Sequence, residues 1–302
     1  MRRVSLCTRE AHTKNRLMPS TLQRENSVTA AKHATARVMR EREPQLKPPL
    51  KWAGGKRWLA PLIRPYWQPH QHRRFVEPFC GGLAVTLGLR PEFALLNDAN
   101  PHLINFYEWL KKPFRITIDA RNDEAVYYTN RARFNKLIKN GKRHSREAAQ
   151  LFYYLNRTCF NGLCRFNQSG EFNVPFGTYA ANLRYAEHFD KYRSLFSSWQ
   201  FTNLDFAQLD IASDDFIYAD PPYDVEFTTY SKGGFSWEDQ VRTALWLAAH
   251  PGPVILSNQA TPRIRKLYRG LGFKLRFYDA PRRISCTGDR TKAREVLAVK
   301  GI

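Results

Sequence analysis

Acidic residues are scarce in this chain, cysteines are few and no long uncharged apolar run occurs, and each shortage removes a class of protein. There are 27 Asp and Glu against 48 Lys and Arg in 302 residues, a formal net charge of +21. Such a field attracts polyanions, nucleic acid above all, and the attraction weakens with salt. Charge alone leaves basic ribosomal and membrane-surface proteins open. The five cysteines (Cys7, Cys80, Cys159, Cys164, Cys286) are odd in number and form no CxxC pair. That argues against a disulfide framework or a zinc site and for reduced, structural thiols. No window approaches the roughly 18 uncharged apolar residues of a membrane-spanning helix, and the first 30 residues lack the apolar block of a secretory signal. A cytoplasmic protein with no membrane partner and no metal is expected. With 43% hydrophobic and 14% aromatic residues, a well-buried core is expected too.

Residues 1–46 are polar and rich in Arg, Lys, Ser and Thr, without apolar periodicity, and a Pro44/Pro48/Pro49 cluster follows. They read as a basic, disordered extension without an essential role, or as the product of an early start codon, with Met18 and Met39 as later candidates. From residue 48 strand and helix signals alternate. Strands are expected at Arg74–Phe79, Phe93–Asn97, Phe216–Asp220 and Pro253–Asn258. Asn100-Pro101 and Thr261-Pro262 start helices, the second ended by Gly270. Ser236 with Asp239 makes a capping-box pattern, opening a helix whose apolar residues Val241, Ala244, Leu245 and Ala248 fall at i, i+3, i+4 and i+7. This alternation argues for a parallel α/β sheet with helices on both faces. From about Pro113 to Ser198 the text turns basic, aromatic and helical, with Ala148, Leu151, Phe152 and Leu155 marking one helix face. It runs into a segment where Ser169-Gly170 lies between strand-like runs, the sign of a β-hairpin. The organisation expected is thus an extension over 1–46, one sheet domain built from 47–112 and 199–302, and an insertion over 113–198 that carries the hairpin. There are no internal repeats.

Phe79-Cys80-Gly81-Gly82 follows a strand, where glycines let a backbone approach a nucleoside cofactor, although such pairs also arise for steric reasons alone. Asp98 stands 21 residues after Glu77, just past the next strand. There an acidic side chain can accept both ribose hydroxyls, or it can cap the helix near Pro101. Upstream, Lys51 to Lys56 reads KWAGGK: Trp52 can pack on a cofactor, and Lys56 can neutralise either the cofactor's carboxylate or an active-site acid.

Asp220-Pro221-Pro222-Tyr223 closes the strand FIYAD, at the end where open α/β sheets place ligands. The exocyclic amine of adenine is a poor nucleophile, because its lone pair is delocalised into the ring. An Asp220 carboxylate and the Pro221 carbonyl can each accept a hydrogen bond from that nitrogen, pull it toward a tetrahedral shape and free the lone pair to attack a sulfonium methyl. Pro222 stiffens the turn that aims them, and Tyr223 can stack on the base, a contact worth roughly 1–3 kcal/mol in single-strand binders. Taken alone, the tetrapeptide is also an ordinary turn with a capping Asp.

KWAGGK, FVEPFCGG, NDAN, FNGLCRFNQSGEFNVPFG, DPPY and RRISCTGDRTKAREVLA stand in one order across residues 48–302. This set resembles the Dam-type (D12 class) DNA adenine methyltransferases, bacterial and phage enzymes that often act on GATC. The resemblance implies a Rossmann-like sheet with an inserted helical and β-hairpin DNA-recognition domain, S-adenosylmethionine as methyl donor, and double-stranded DNA as partner. It implies donor contacts at Trp52, Lys56, Asp98 and Asp220, with Glu77, Phe79 and Gly81 shaping the pocket. DNA contacts are implied at Lys51, Phe160, Asn161, Leu163 and Arg165. An aromatic such as Phe160 can wedge between base pairs while adenine flips, Arg165 can grip a guanine through O6 and N7 or meet a phosphate, and Leu163 or Pro175 can touch a thymine methyl.

Two residues depart from the pattern: Phe160 stands where tyrosine is common, and Thr178 where a basic residue is expected. Both bear on DNA affinity and on the identity of the site, and neither touches catalysis. Cytosine-N4 and glutamine methyltransferases usually carry Ser or Asn before Pro-Pro, so Asp220 favours adenine. A DNA-binding regulator without catalysis is opposed by the intact Asp98, Asp220 and Tyr223. A solitary enzyme is expected, since no nuclease motif is present; the sequence does not state the oligomeric state, for which a monomer is favoured.

Overall fold

The computed structural model describes residues 46–177, 189–224, 235–280 and 293–302. Residues 1–45 of the extension, Thr178 and most of the RRISCTGDRTKAREVLA motif therefore lie outside the described residues. The sheet strands are β1 (Phe75–Glu77), β2 (Ala94–Asn97), β3 (Trp199–Thr202), β4 (Phe216–Ala219), β5 (Val254–Gln259), β6 (Lys274–Ala280) and β7 (Ala293–Lys300). The helices are α1 (Ala60–Trp67), α2 (Ala84–Leu89), α3 (Pro101–Leu110), α4 (Glu124–Lys139), α5 (Arg146–Thr158), α6 (Asp190–Phe196), α7 (Trp237–Ala249) and α8 (Pro262–Gly270).

β1, β2 and β4 are buried at every position, the sign of strands covered on both faces. Their side chains alternate. Phe75, Phe216 and Tyr218 enter one hydrophobic core with Trp67, Tyr107 and Leu155, while Val76, Ile217 and Ala219 enter a second with Leu247, Leu256 and Tyr268. The expected α/β sheet is present, seven strands in the order β3-β2-β1-β4-β5-β7-β6. It is not wholly parallel. β1 to β5 pair in parallel, but β7 runs antiparallel to both β5 and β6. Lys274–Ala280 and Ala293–Lys300 are successive strands paired antiparallel, the relation of a hairpin rather than of a parallel crossover. The order reverses between β1 and β4, and their C-terminal ends open there as the ligand crevice of a doubly wound sheet.

The helix starts follow their caps. Asn100 accepts from the backbone of His102 and Leu103 at 3.0 and 3.2 Å with Pro101 at the first position, and Ser236 and Asp239 form the full reciprocal box. Three details differ from the sequence reading. In α7 the buried residues are Gln240, Thr243, Ala244 and Leu247, while Leu245 is 52% exposed; the helix is turned so that Gln240 can reach polar partners inside. Gly270 is the last helical residue of α8, and the left-handed turn belongs to Gly272 at φ +81°. α5 is buried at every residue from Ala148 to Asn156 rather than on one face, because it lies among α3, α4 and the segment that follows it.

That segment, 159–177, holds its shape with few ladder bonds. Two isolated antiparallel bridges, Cys159–Phe176 and Phe166–Phe172, flank a tip where Asn167 bonds Glu171 and Gly170 has φ +74°. Phe166 stacks on His102 of α3 at 4.8 Å, so the hairpin is pinned to the sheet domain by an aromatic contact.

Candidate active site

β1 delivers Glu77 and β2 delivers Asn97 and Asp98 to the crevice. Glu77 is 3% exposed and accepts the Thr86 hydroxyl; burial pushes its carboxyl well up, against that hydrogen bond. Asn97 ties the two loops together, donating to the carbonyls of Pro78 and Leu204 at 3.0 Å each. Helix capping falls to Asn100, which leaves Asp98 for the crevice. Asp98 accepts from the amides of Gly81 (3.0 Å) and Asn100 (2.9 Å), and burial raises its pKa in spite of both bonds.

The glycine pair has a packing reason as well. Gly81 has φ +42°, and a Cβ on it would lie 2.7 Å from the Trp52 indole nitrogen; one on Gly82 would lie 2.8 Å from the Trp52 Cβ. Trp52 thus lies against the turn itself, and the Tyr107 hydroxyl holds the Gly81 carbonyl from behind at 2.6 Å. Phe79 packs beside Phe206 and Phe235, at ring distances of 5.4 and 5.7 Å.

Asp220 leaves β4 beside a cation. Its Oδ2 lies 3.6 Å from Lys56 Nζ, and its Oδ1 accepts the Ser257 hydroxyl at 2.8 Å. Burial pushes its pKa up to about 6, opposed by the Lys56 charge and the Ser257 bond and helped by the nearby Glu295 charge. Lys56 is 5% exposed and lies 3.4 Å from Glu295; it donates to the Tyr223 hydroxyl, which donates in turn to Glu295. Lys56 thus stands between two acids of the crevice, Asp220 and Glu295. The tetrapeptide is braced further on. Pro222 accepts from Gln240 at 2.6 Å, Gln240 accepts from Asn258, and Asn258 donates to Tyr268. Buried Asp224 is held by Arg263 and Thr261.

The remaining candidates lie on the hairpin segment. Phe160 is 49% exposed, beside Asn161 at φ +52°, and its amide bonds the Pro175 carbonyl at 2.9 Å. Arg165 and Pro175 are exposed and Leu163 half-buried. The Arg165 guanidinium is held by the Asn173 side chain at 2.9 Å. Lys51 joins this group. Its backbone N–H and C=O both pair with the Asn156 side chain at 2.8 Å, and Gly162 passes so close that a Cβ there would lie 2.5 Å from the Lys51 Cβ. The structure therefore gathers Trp52, Lys56, Glu77, Gly81, Asp98, Asp220 and Tyr223 around the crevice, and Lys51, Phe160, Asn161, Leu163, Arg165 and Pro175 on the hairpin beside α5. Sequence reasoning missed Ser257, Gln240, Asp224 and Glu295. The one visible signal was Glu295 itself, an acid inside the apolar run that forms β7.

The chain matches the family model of the D12 class N6 adenine-specific DNA methyltransferases over residues 52–280. It is 36% identical over 267 residues to the DNA N-6-adenine-methyltransferase of Escherichia phage P1, covering 82% of this chain but 35% of the phage protein. It is 37% identical over 275 residues to a DNA adenine methylase of Vibrio cholerae, covering 83% and 94% of the two chains. Against the retron Ec67 DNA adenine methylase of Escherichia coli it is 34% identical over 275 residues, covering 83% and 90%. The matched span takes in the Gly81 turn, Asp98 and the Asp220 tetrapeptide, and the chain belongs to the D12 class of N6 adenine-specific DNA methyltransferases.

Proposed function

We propose that this enzyme methylates N6 of an adenine flipped out of duplex DNA, in the cytoplasm, at GATC or a related short site, with Asp220 to Tyr223 at the reacting atoms. The observation that carries the reading is the placement of Asp220, at the C-terminal end of β4 between Lys56 and Ser257. The family implies S-adenosylmethionine as methyl donor, and the crevice suits it. Asp220 and Glu295 lie beside Lys56, and Glu77 stands near both Asp220 and Asp98, with no cation among the described partners of Glu77 or Asp98. An excess of carboxylates inside a protein of net charge +21 favours a cationic ligand. S-adenosylmethionine supplies, when bound, an electrophilic methyl on a positively charged sulfur. Trp52 and Gly81 form one wall of its seat, and Asp98 has acceptor capacity left for ribose hydroxyls.

Asp220 and the Pro221 carbonyl accept the two N6–H bonds of the flipped base and hold the nitrogen lone pair toward the methyl. Bound there, the donor would supply its methyl group and leave as the neutral thioether, and the proton given up by N6 would pass to the Asp220 carboxylate that accepts from it. Tyr223 stacks on the base, while Phe160 fills the gap left in the duplex and Arg165 reads or anchors the flanking pairs.

Plasmid DNA incubated with the enzyme and the donor, then sequenced by a modification-sensitive method, is expected to gain N6-methyladenine at one short motif. Asp220→Ala is expected to lose at least about 100-fold in transfer rate, the scale of a positioned acceptor, while still binding duplex. Methylated cytosine, or an active Asp220→Ala enzyme, would overturn the assignment.

A further inference from the structure

Glu295 enters the crevice from a strand that carries no other group of the site. β7 pairs with β5 in the register Gln259↔Glu295, which sets the residue beside the C-terminal ends of β4 and β5. It is 5% exposed in a strand whose next four residues, Val296 to Val299, are all buried and apolar. One carboxylate oxygen meets both Lys56 and the Tyr223 hydroxyl. The other, Oε2, is buried without a hydrogen-bond partner among the described residues. A buried carboxylate with a bare oxygen weakens a fold rather than strengthening it, so stability does not account for an acid at this place.

We propose that Glu295 is a positioning residue for methyl transfer: it holds the Tyr223 ring in place through the hydroxyl and draws Lys56 away from Asp220, leaving the Asp220 carboxylate free to accept from the amine. The geometry supports both halves. Lys56 lies nearer Glu295 (3.4 Å) than Asp220 (3.6 Å), and its ammonium sits 4.2 Å from the centre of the Tyr223 ring. Without the Glu295 charge Lys56 is left to Asp220, and a carboxylate held by an ammonium is a poorer acceptor for N6–H. The groups facing Asp220 are Lys56, Ser257, Glu77, Tyr218, Tyr268 and Glu295. Loss of the Glu295 charge removes a repulsion on Asp220 and strengthens the attraction of Lys56, so both changes ease its ionisation.

The inference rests on the methyltransferase reading above, and one experiment separates the two. Single-turnover transfer to a duplex carrying the methylated motif is measured over roughly pH 5 to 9, where the limbs report groups in the complex. In the wild-type enzyme the rate is expected to fall as the pH drops and Asp220 protonates. Glu295→Gln, which keeps the shape, is expected to slow transfer at neutral pH by about 10-fold, while its acid limb moves down by on the order of one pH unit. The KM for DNA is expected to stay within about 2-fold. Glu295→Asp, with the charge kept but withdrawn, is expected to move the limb the same way by less. A wild-type enzyme without transfer defeats the functional reading. An active wild type whose limb is unmoved in Glu295→Gln leaves that reading standing and overturns the role of Glu295. A chain that folds with neither substitution makes Glu295 structural and overturns it as well.

Discussion

Asp220 is held where the fold would rather have a neutral group. Its pKa of about 6 lies above the ordinary Asp value because burial costs the charged form more than Lys56 and Ser257 return. For a raised carboxyl the sign of the linkage is fixed. Near pH 4 the native group is protonated and carries little penalty; the penalty grows as the pH rises toward 6 and stays constant above it. A shift of this size corresponds to at most about 3 kcal/mol. Asp220→Asn is therefore expected to raise the thermal midpoint at pH 7 to 8, by about 2–4 °C per kcal/mol relieved, with the gain vanishing near pH 4. Melting curves at the two pH values check this, and equal midpoints for the two proteins at neutral pH would refute it. Asp220, Lys56 and Asp98 were legible in the sequence because each sits in a short ordered motif. Ser257 was not, since a serine inside PVILSN looks like any strand residue until β5 is set beside β4. Nor could spacing say which residue caps the helix at Pro101; the structure gives that cap to the Asn100 side chain.

At the scale of elements, the joint between α5 and the chain before α1 centres on Asn156, with the Lys51 ammonium also donating to the Arg157 carbonyl at 3.2 Å. Asn156 serves Lys51 as a strand neighbour would, giving its N–H an acceptor and its C=O a donor at 2.8 Å. That fixes the course of Lys51 into Trp52, and so couples the hairpin beside Gly162 to the wall of the donor crevice. Asn156→Ala removes a side chain that is 1% exposed and bonds both the N–H and the C=O of Lys51, at a cost of about 1–3 kcal/mol for each bond. It is expected to destabilise the fold by a few kcal/mol on that scale and to weaken donor and duplex binding together. Chemical denaturation and separate titrations of the two ligands measure this, and a variant that loses one affinity alone would break the link. Caps and turns were the elements best read in advance, as Asn100, Ser236 and the Ser169-Gly170 tip show, because each depends on a few adjacent residues. The faces of α5 and α7 were not, because periodicity ranks residues by hydropathy and cannot see that Gln240 has Pro222 and Asn258 to bond inside while Leu245 has nothing to cover it.

For the molecule as a whole, a chain of net charge +21 carries several carboxylates in its crevice. Residues 1–46 add ten Lys and Arg against four Glu, and the family match begins only at Trp52. A chain without these residues is expected to keep its transfer rate at saturating DNA and to show a shallower dependence of duplex affinity on salt, by about 0.9 in log–log slope for each phosphate that is no longer neutralised. Failure of transfer in the shortened chain would give the extension an essential role. The sheet order could not be read in advance, since nothing local in residues 293–300 states that this strand enters between two others. Its place has a consequence for how the enzyme comes into being. Among the described residues β6 pairs only with β7, and β7 closes the edge of β5, so both strands join the sheet through one long-range pairing. Such long-range pairing is slow. Until it happens the chain is a basic protein with an open strand edge, able to hold DNA but lacking Glu295. A chain caught before that pairing is therefore expected to bind DNA while transferring methyl groups slowly.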